Sequence, residues 1–281
     1  MITNLRASPR PGMTRTLSHG AAPRDATPAV EIRGVSKIYP TSTGAPIHAF
    51  GPIDLMIPEE RFVSLVGPSG CGKSTLLLII AGLLDCTDGA IVRKRQTISR
   101  PQTDIGMVFQ GNVLVDWRDV LGNVLLQVEM RGLQVAPYLE RARELLRSVG
   151  LQDFERRYPH ELSGGMQQRT AFCRALIHDP TLILMDEPLG ALDAMTRERL
   201  RSDLETLWMQ RRKTVVFVTH SIEEAVQLSD TVVVISPRPG MIVREIAVDL
   251  PRPRTLDICR TPEFHALVDE IKQIFFGYGV L

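Results

Sequence analysis

The run Gly67-Pro68-Ser69-Gly70-Cys71-Gly72-Lys73-Ser74-Thr75 has the residue types and spacing of a phosphate-binding loop. Its glycines let backbone N–H groups close around phosphate oxygens. Lys73 brings positive charge to the β and γ phosphates, and Ser74 offers a hydroxyl to Mg²⁺. Cys71 stands among those N–H groups beside Lys73, where its thiol is either a small filler or is acidified by the neighbouring charge. A second constellation closes the apolar run Thr181-Leu182-Ile183-Leu184-Met185 with Asp186 and Glu187. Alone, two acids after a strand read as a solvated helix cap. Paired with the upstream loop, Asp186 is placed for the Mg²⁺ shell and Glu187 to orient or deprotonate a water for in-line attack on a γ phosphate. A third group, Leu162-Ser163-Gly164-Gly165-Met166, opens a helical stretch. Free N–H groups, a hydroxyl and the positive end of a helix dipole then point at one spot, which suits an anion.

The elements that must position these groups alternate along the chain. Strands are expected near Val30–Tyr39, Ile53–Ile57 and Phe62–Val66, the last leading into the phosphate loop and followed by a helix through Leu76–Ala81. Ala90–Arg93 and Ile105–Phe109 continue the sheet, and a helical block runs from about Gly111 to Ser163. Within it Leu139, Ala142, Leu145, Leu146 and Val149 keep helical spacing. Leu182–Met185, Val215–Thr219 and Thr231–Ile235 read as further strands, separated by helices at Thr196–Arg212 and Ser221–Leu228. Active sites of open α/β sheets lie at the carboxyl ends of their strands, where Asp186 and Glu187 fall.

Together the three motifs resemble the ATPase subunits of ATP-binding-cassette transporters, from about Val30 to about Pro253. The resemblance implies an α/β fold, a P-loop NTPase core of RecA-like type with an antiparallel β subdomain and an inserted α-helical subdomain at about 111–165. It implies ATP and Mg²⁺, held by Gly67 to Thr75. It further matches Tyr39 to the aromatic that stacks on adenine, Gln110 to the glutamine that meets Mg²⁺ and the attacking water, and His220 to the histidine that contacts the γ phosphate. Ala191-Leu192-Asp193 matches the loop that crosses the dimer interface. Catalysis is thereby assigned to Glu187, His220 and Gln110, and the metal to Ser74, Gln110 and Asp186. Because the chain holds one nucleotide loop, Ser163, Gly164 and Gly165 are expected to close over ATP bound to a second copy or to a paralogous cassette.

Within that family the nearest resemblance is to the ATPases of nitrate, sulfonate and taurine importers. It is carried by Leu162-Ser163-Gly164-Gly165-Met166-Gln167-Gln168-Arg169, Thr219-His220-Ser221-Ile222-Glu223-Glu224-Ala225 and Ser236-Pro237-Arg238-Pro239-Gly240. Transmembrane permease subunits are the implied partners. A periplasmic or lipoprotein solute-binding protein is an indirect one, and the expected location is the cytoplasmic face of a bacterial inner membrane. One departure is Val113-Leu114-Val115-Asp116-Trp117, where relatives often place Pro before the Trp, in the segment that would touch the permease. The rival reading is a soluble cassette of DNA repair or translation. Repair relatives would insert a long coiled coil before the third motif, translation relatives would carry two cassettes, and this chain shows neither. A cassette that binds ATP without hydrolysing it is disfavoured by the presence of Glu187, Gln110 and His220.

Composition is consistent with this. A net charge of +1 over 281 residues gives no global bias toward nucleic acid, and the short basic groups Arg93-Lys94-Arg95 and Arg211-Arg212-Lys213 read as solvated faces or helix ends. Cys71, Cys86, Cys173 and Cys259 form no C-x-x-C pair, as expected in a reducing compartment. His19, His48, His160, His178 and His265 lack metal-ligand spacing. The longest apolar run, Leu76–Leu84, is too short to span a bilayer, so a transport pathway must belong to another chain. Residues 1–28 read as a disordered extension, 29–254 as the nucleotide-binding domain, and 255–281 as a helical extension. In that extension Phe264, Leu267, Val268 and Ile271 share a face expected to pack on the parent domain.

Overall fold

Phe62–Val66 is buried at every position, so both faces of this strand must be covered. In the computed structural model, which describes residues 28–42, 44–111, 113–190 and 192–280, it lies inside a mainly parallel sheet. The extension read at the N-terminus falls outside the described residues except for Pro28. Its strands and helices run β1 (Pro28–Tyr39), β2 (Ile47–Pro58), β3 (Phe62–Val66), α1 (Lys73–Ile80), β4 (Asp88–Arg93), β5 (Gln96–Thr97), β6 (Ile105–Val108), α2 (Val120–Met130) and α3 (Leu139–Ser148). They continue with α4 (Gly164–Leu176), β7 (Leu182–Asp186), α5 (Ala194–Gln210), β8 (Thr214–Thr219), α6 (Ile222–Leu228), β9 (Thr231–Ile235), β10 (Ile242–Ala247), α7 (Leu256–Cys259) and α8 (Pro262–Gly277).

The larger sheet has the order β10-β9-β3-β8-β7-β6, parallel from β9 to β6 with β10 antiparallel at one edge. The smaller sheet, β2-β1-β4-β5, is antiparallel throughout. Side chains of both sheets and of α1, among them Ile32, Ile57, Leu65, Leu77 and Leu184, meet in one apolar cluster. On the other face of the parallel sheet Phe62, Phe172, Phe217 and Trp208 pack against α4 and α5. A separate cluster joins α2 and α3 to α4 through Val124, Leu146 and Cys173. The helical block therefore has its own core and is attached to the sheet through α4.

Two expectations change here. Arg93 is not on a solvated face: it is 5% exposed, donates to Asp104 Oδ1 at 2.6 Å and Thr181 Oγ1 at 3.1 Å, and leaves Lys94 outside. Asp104, beside both cations, is held well below the usual carboxylate range. The β10 strand is absent from the sequence reading because only Ile246 of it is buried, Arg244 and Glu245 being exposed, and its pairing with β9 at the sheet edge is not a local property.

The C-terminal helix packs on its own domain. Phe264, Val268, Ile271 and Phe275 of α8 are buried against Val226 and Val234. Thr261 caps α8 by accepting from Phe264 N, with Pro262 in the first turn. The segment before it is pinned by a buried charge network. Glu205 of α5 accepts from Arg254 N with both carboxylate oxygens and pairs with Arg252, which lies 4.3 Å over the Trp208 ring. The Arg254 guanidinium, pulled down to about 10 by burial, donates to the carbonyls of Val226, Gln227 and Val248. Removing Glu205 leaves the buried Arg254 N–H without its acceptor, while Arg252 keeps Asp230 and the Leu228 carbonyl. Glu205→Ala should therefore lower the unfolding free energy by about 1–3 kcal/mol, read as a lower urea midpoint. A change under about 1 kcal/mol would show that water replaces the carboxylate.

Candidate active site

The phosphate loop leaves the carboxyl end of β3 and ends where α1 begins at Lys73. Gly70 and Gly72 have φ of 76° and 97°, in the left-handed region that favours glycine. A Cβ on Gly72 would come within 2.6 Å of Phe50 Cδ1, so the loop is also packed too tightly for a side chain there. Lys73 is 4% exposed, and its Nζ donates to the carbonyls of Gly67 at 2.8 Å and Pro68 at 2.9 Å. The ammonium is thus held across the loop with its charge largely desolvated. Cys71 is 1% exposed, and burial raises its thiol pKa despite the opposing charge of Lys73. Of the two roles open to it, the small filler is the one the structure supports.

The acids meet this loop because β7 lies one strand away from β3, across β8. Ser74 Oγ donates to Asp186 Oδ1 at 2.7 Å. Burial pushes the Asp186 carboxyl up, opposed by that hydrogen bond. A hydroxyl and a carboxylate at this separation are the hard oxygen donors that Mg²⁺ takes, so the residues fit the ion. Glu187 has φ 41°, unusual for a residue with a side chain, and its N–H donates to Val218 O at 2.9 Å. That backbone conformation costs on the order of 1 kcal/mol and is held by the neighbouring strand. Glu187 Oε2 accepts from Gln110 Nε2 at 3.2 Å and lies 3.1 Å from His220 Nδ1. Chemically, this is a carboxylate with two polar neighbours beside a site for phosphate and metal, an arrangement able to hold and deprotonate a water.

Tyr39 reaches the same region from the end of β1. Its hydroxyl is 3.4 Å from Thr75 Oγ1, and Lys37 Nζ is 5.3 Å from its ring centre. Ser163, Gly164, Gly165 and Asp193 form a different group. Ser163 caps α4 by accepting from Met166 N at 3.3 Å, and both it and Gly164 are exposed. Gly165 is buried against α5, where a Cβ would fall 2.3 Å from Thr196 Cγ2. Asp193 caps α5 by accepting from Thr196 N at 3.0 Å. Among the described residues no hydrogen bond joins these four to the phosphate loop, and Ala191 lies outside them.

Sequence reasoning did not find Asn123 and Arg174. Asn123, fully buried in α2, accepts from Val115 N and donates to the carbonyls of Val115, Arg118 and Asp119. Arg174 donates to Val113 O at 2.5 Å. Together they fix a loop that presents Trp117, 80% exposed, and Val113, 54% exposed. The one local signal was a polar Asn inside an otherwise apolar helical run.

Residues 50–190 match the family model described as ABC transporter. The chain belongs to the ABC transporter family. It is 45% identical over 225 residues to an ABC transporter ATP-binding protein of Methanocaldococcus jannaschii, covering 80% of this chain and 84% of that one. Other ABC relatives carry import names. The taurine import ATP-binding protein TauB of Rhizobium johnstonii is 42% identical, covering 87% of this chain and 95% of that one. The aliphatic sulfonates import ATP-binding protein SsuB of Bacillus cereus is 41% identical, covering 80% and 88%. The fold is similar to the dimeric structure of a bacterial ABC transporter cassette, with TM-score 0.70 and 34% identity over 78% of this chain and 98% of that one. A post-hydrolysis dimer of an ATP-binding cassette, bound to ADP and Pi, is similar at TM-score 0.69 and 34% identity, with the same coverage.

The buried Cys71 yields a chemical check on the loop. Iodoacetamide at pH 8 should label the partly exposed Cys86 and Cys259 before Cys71, as read by peptide mass spectrometry. Fastest labelling at Cys71 would contradict the packed loop.

Proposed function

We propose that this ABC protein is the ATP-hydrolysing subunit of a membrane importer for a small anionic solute such as taurine, a sulfonate or nitrate. The observation that carries the hydrolytic part is the Glu187 carboxylate, one residue beyond Asp186 and within hydrogen-bonding reach of Gln110 and His220. The similarity to the taurine and sulfonate import proteins supports the solute class.

In this reading the N–H groups from Gly67 to Thr75, with Pro68, Ser69 and Cys71 shaping the loop, hold the phosphates of ATP, and Lys73 neutralises the β and γ oxygens. Tyr39 stacks on the adenine. Ser74, Asp186 and Gln110 hold Mg²⁺, which when bound supplies charge neutralisation on the phosphate oxygens. Glu187 orients the attacking water and takes its proton at a carboxylate oxygen, steadied by Gln110. His220 contacts the γ phosphate as charge develops on it. Ser163, Gly164 and Gly165 cover the nucleotide of a second cassette, a copy of this chain or a paralogue, and Asp193 lies at the shared surface. ATP binding closes the pair and hydrolysis allows reopening.

Residues 29–254 serve as the cassette, with the helical part near 111–165, and 255–281 as its extension. The loop bearing Val113 and Trp117 is the contact for transmembrane permease subunits, since an exposed aromatic fixed by buried polar groups suits an interface. The solute-binding protein meets the permease and not this chain, and nucleic acid is not a partner. No helix among the described residues is long and apolar enough to cross a membrane, in keeping with a peripheral subunit at the cytoplasmic face of a bacterial inner membrane.

Glu187→Gln should bind ATP normally while phosphate release falls by about 10² or more, measured by coupled assay. Near-normal release removes Glu187 from the base role. Ser163→Arg should abolish release without weakening nucleotide binding to the monomer, measured by fluorescence titration. Equal loss of monomer binding would put the serine in its own chain's pocket.

A further inference from the structure

Glu224 lies in α6, four residues after His220, and is 4% exposed. It makes none of the contacts of the phosphate loop, and capping of α6 is already provided by Ser221, whose Oγ accepts from Glu224 N at 3.3 Å. Its carboxylate reaches in two directions. Oε2 accepts from Thr219 Oγ1 at 2.8 Å, and Thr219 Oγ1 accepts from Ser221 N at 3.0 Å, so the residues on both sides of His220 are tied to one buried group. Oε1 lies 3.7 Å from Arg197 Nε. The same guanidinium donates to Leu189 O at 3.3 Å and Leu192 O at 2.9 Å, on the loop that runs from Glu187 to Asp193. Arg201, further along α5, adds a second positive charge near Glu224.

A buried carboxylate is costly, and an apolar residue of similar size is often neutral or stabilising in such a place. Stability alone therefore gives little reason for a charge here. What the charge does is add a second bridge between two loops whose other side-chain link among the described residues is the His220–Glu187 contact, and so tie the far part of the second loop, at Leu189 and Leu192, to the first. One carries His220, in contact with Glu187. The other leads to Asp193, next to the Ser163–Gly165 group through Thr196.

We propose that Glu224 is a positioning residue that couples the His220 side of a chain's own nucleotide site to the Leu189–Asp193 loop, and through it to the partner cassette's site. This rests on the proposed hydrolysis at a cassette dimer. Arg197 is the other half of the device, since its planar fork holds the loop carbonyls while its charge faces Glu224.

The test compares Glu224→Gln, Arg197→Gln and the double variant with wild type. Glu224→Gln keeps an acceptor for Thr219 but loses the charge facing Arg197. Each single variant should lower kcat for ATP about tenfold, a size typical of coupling networks, and the double should be no slower than the slower single. KM and the nucleotide Kd of the monomer should stay within about twofold, because the phosphate loop is untouched. The melting temperature should move by no more than about 4 °C, the shift of about 1 kcal/mol. Arg197→Lys, which keeps the charge but loses the fork, should show the same kcat loss if Glu224→Gln does not fold. In a Glu187→Gln background the same changes should weaken ATP-driven dimerisation about tenfold. Wild-type kcat, additive losses, or activity falling in step with melting temperature would overturn the coupling. A wild-type protein that releases no phosphate would overturn the hydrolysis reading instead, with the dimerisation arm still deciding the coupling.

Discussion

A parallel sheet ends all of its strands on one edge, and that constraint governs this molecule. The four neighbouring strands β3, β8, β7 and β6 deliver, in spatial order, the Lys73 loop, His220, the Asp186–Glu187 pair and Gln110. Their register is matched to two different cores: Val63, Leu65, Val216, Val218, Leu182 and Leu184 share one apolar layer, and a slip of one residue would exchange it with the Phe62, Ile183 and Phe217 layer packed on α4 and α5. Hydrogen bonds of 2.7–3.2 Å between Ser74 and Asp186, and between Glu187 and its two neighbours, follow from that alignment.

A second group, centred on Ser163, is placed by a different core. The helical block packs on itself and reaches the sheet through α4, whose first residues Ser163 and Gly164 stand exposed and, among the described residues, share no hydrogen bond with the phosphate loop. A capped helix start with an exposed Ser163 and Gly164 leaves N–H groups and a positive dipole end for an anion from outside. In the proposed function that anion is the phosphate of a nucleotide on another cassette, and the Glu224–Arg197 bridge links the two surfaces within one chain.

Much of this was legible in the sequence where the signal is local. Phe62–Val66 and Thr231–Ile235 are mainly apolar strands with the bounds read from their residues, and the glycine spacing of the loop needs no distant partner. The start of α5 lies two residues earlier than its apolar pattern suggests because Asp193 caps it. What was not legible depends on contacts far apart in the chain. β2 begins at Ile47, well before Ile53, where Phe50 pairs with Gly240. Arg93 is drawn inward by Asp104 and Thr181, although its basic neighbours suggest a solvated run. Cys71 had two open roles until burial separated them. Asn123 and Glu224 are polar residues within helices, and their roles rest on buried partners that residue type does not reveal.

The central claim is that each working site is built from the Lys73 loop of one chain and the Ser163 helix of another. Mixing Lys73→Ala with Ser163→Arg tests it most directly, with phosphate release measured for each variant alone and for the mixture. Each variant alone should be inactive. The mixture should regain activity, because the mixed dimer pairs an intact Lys73 loop from the Ser163→Arg chain with an intact Ser163 helix from the Lys73→Ala chain. A mixture as inactive as its components, with dimers shown to form, would contradict the account.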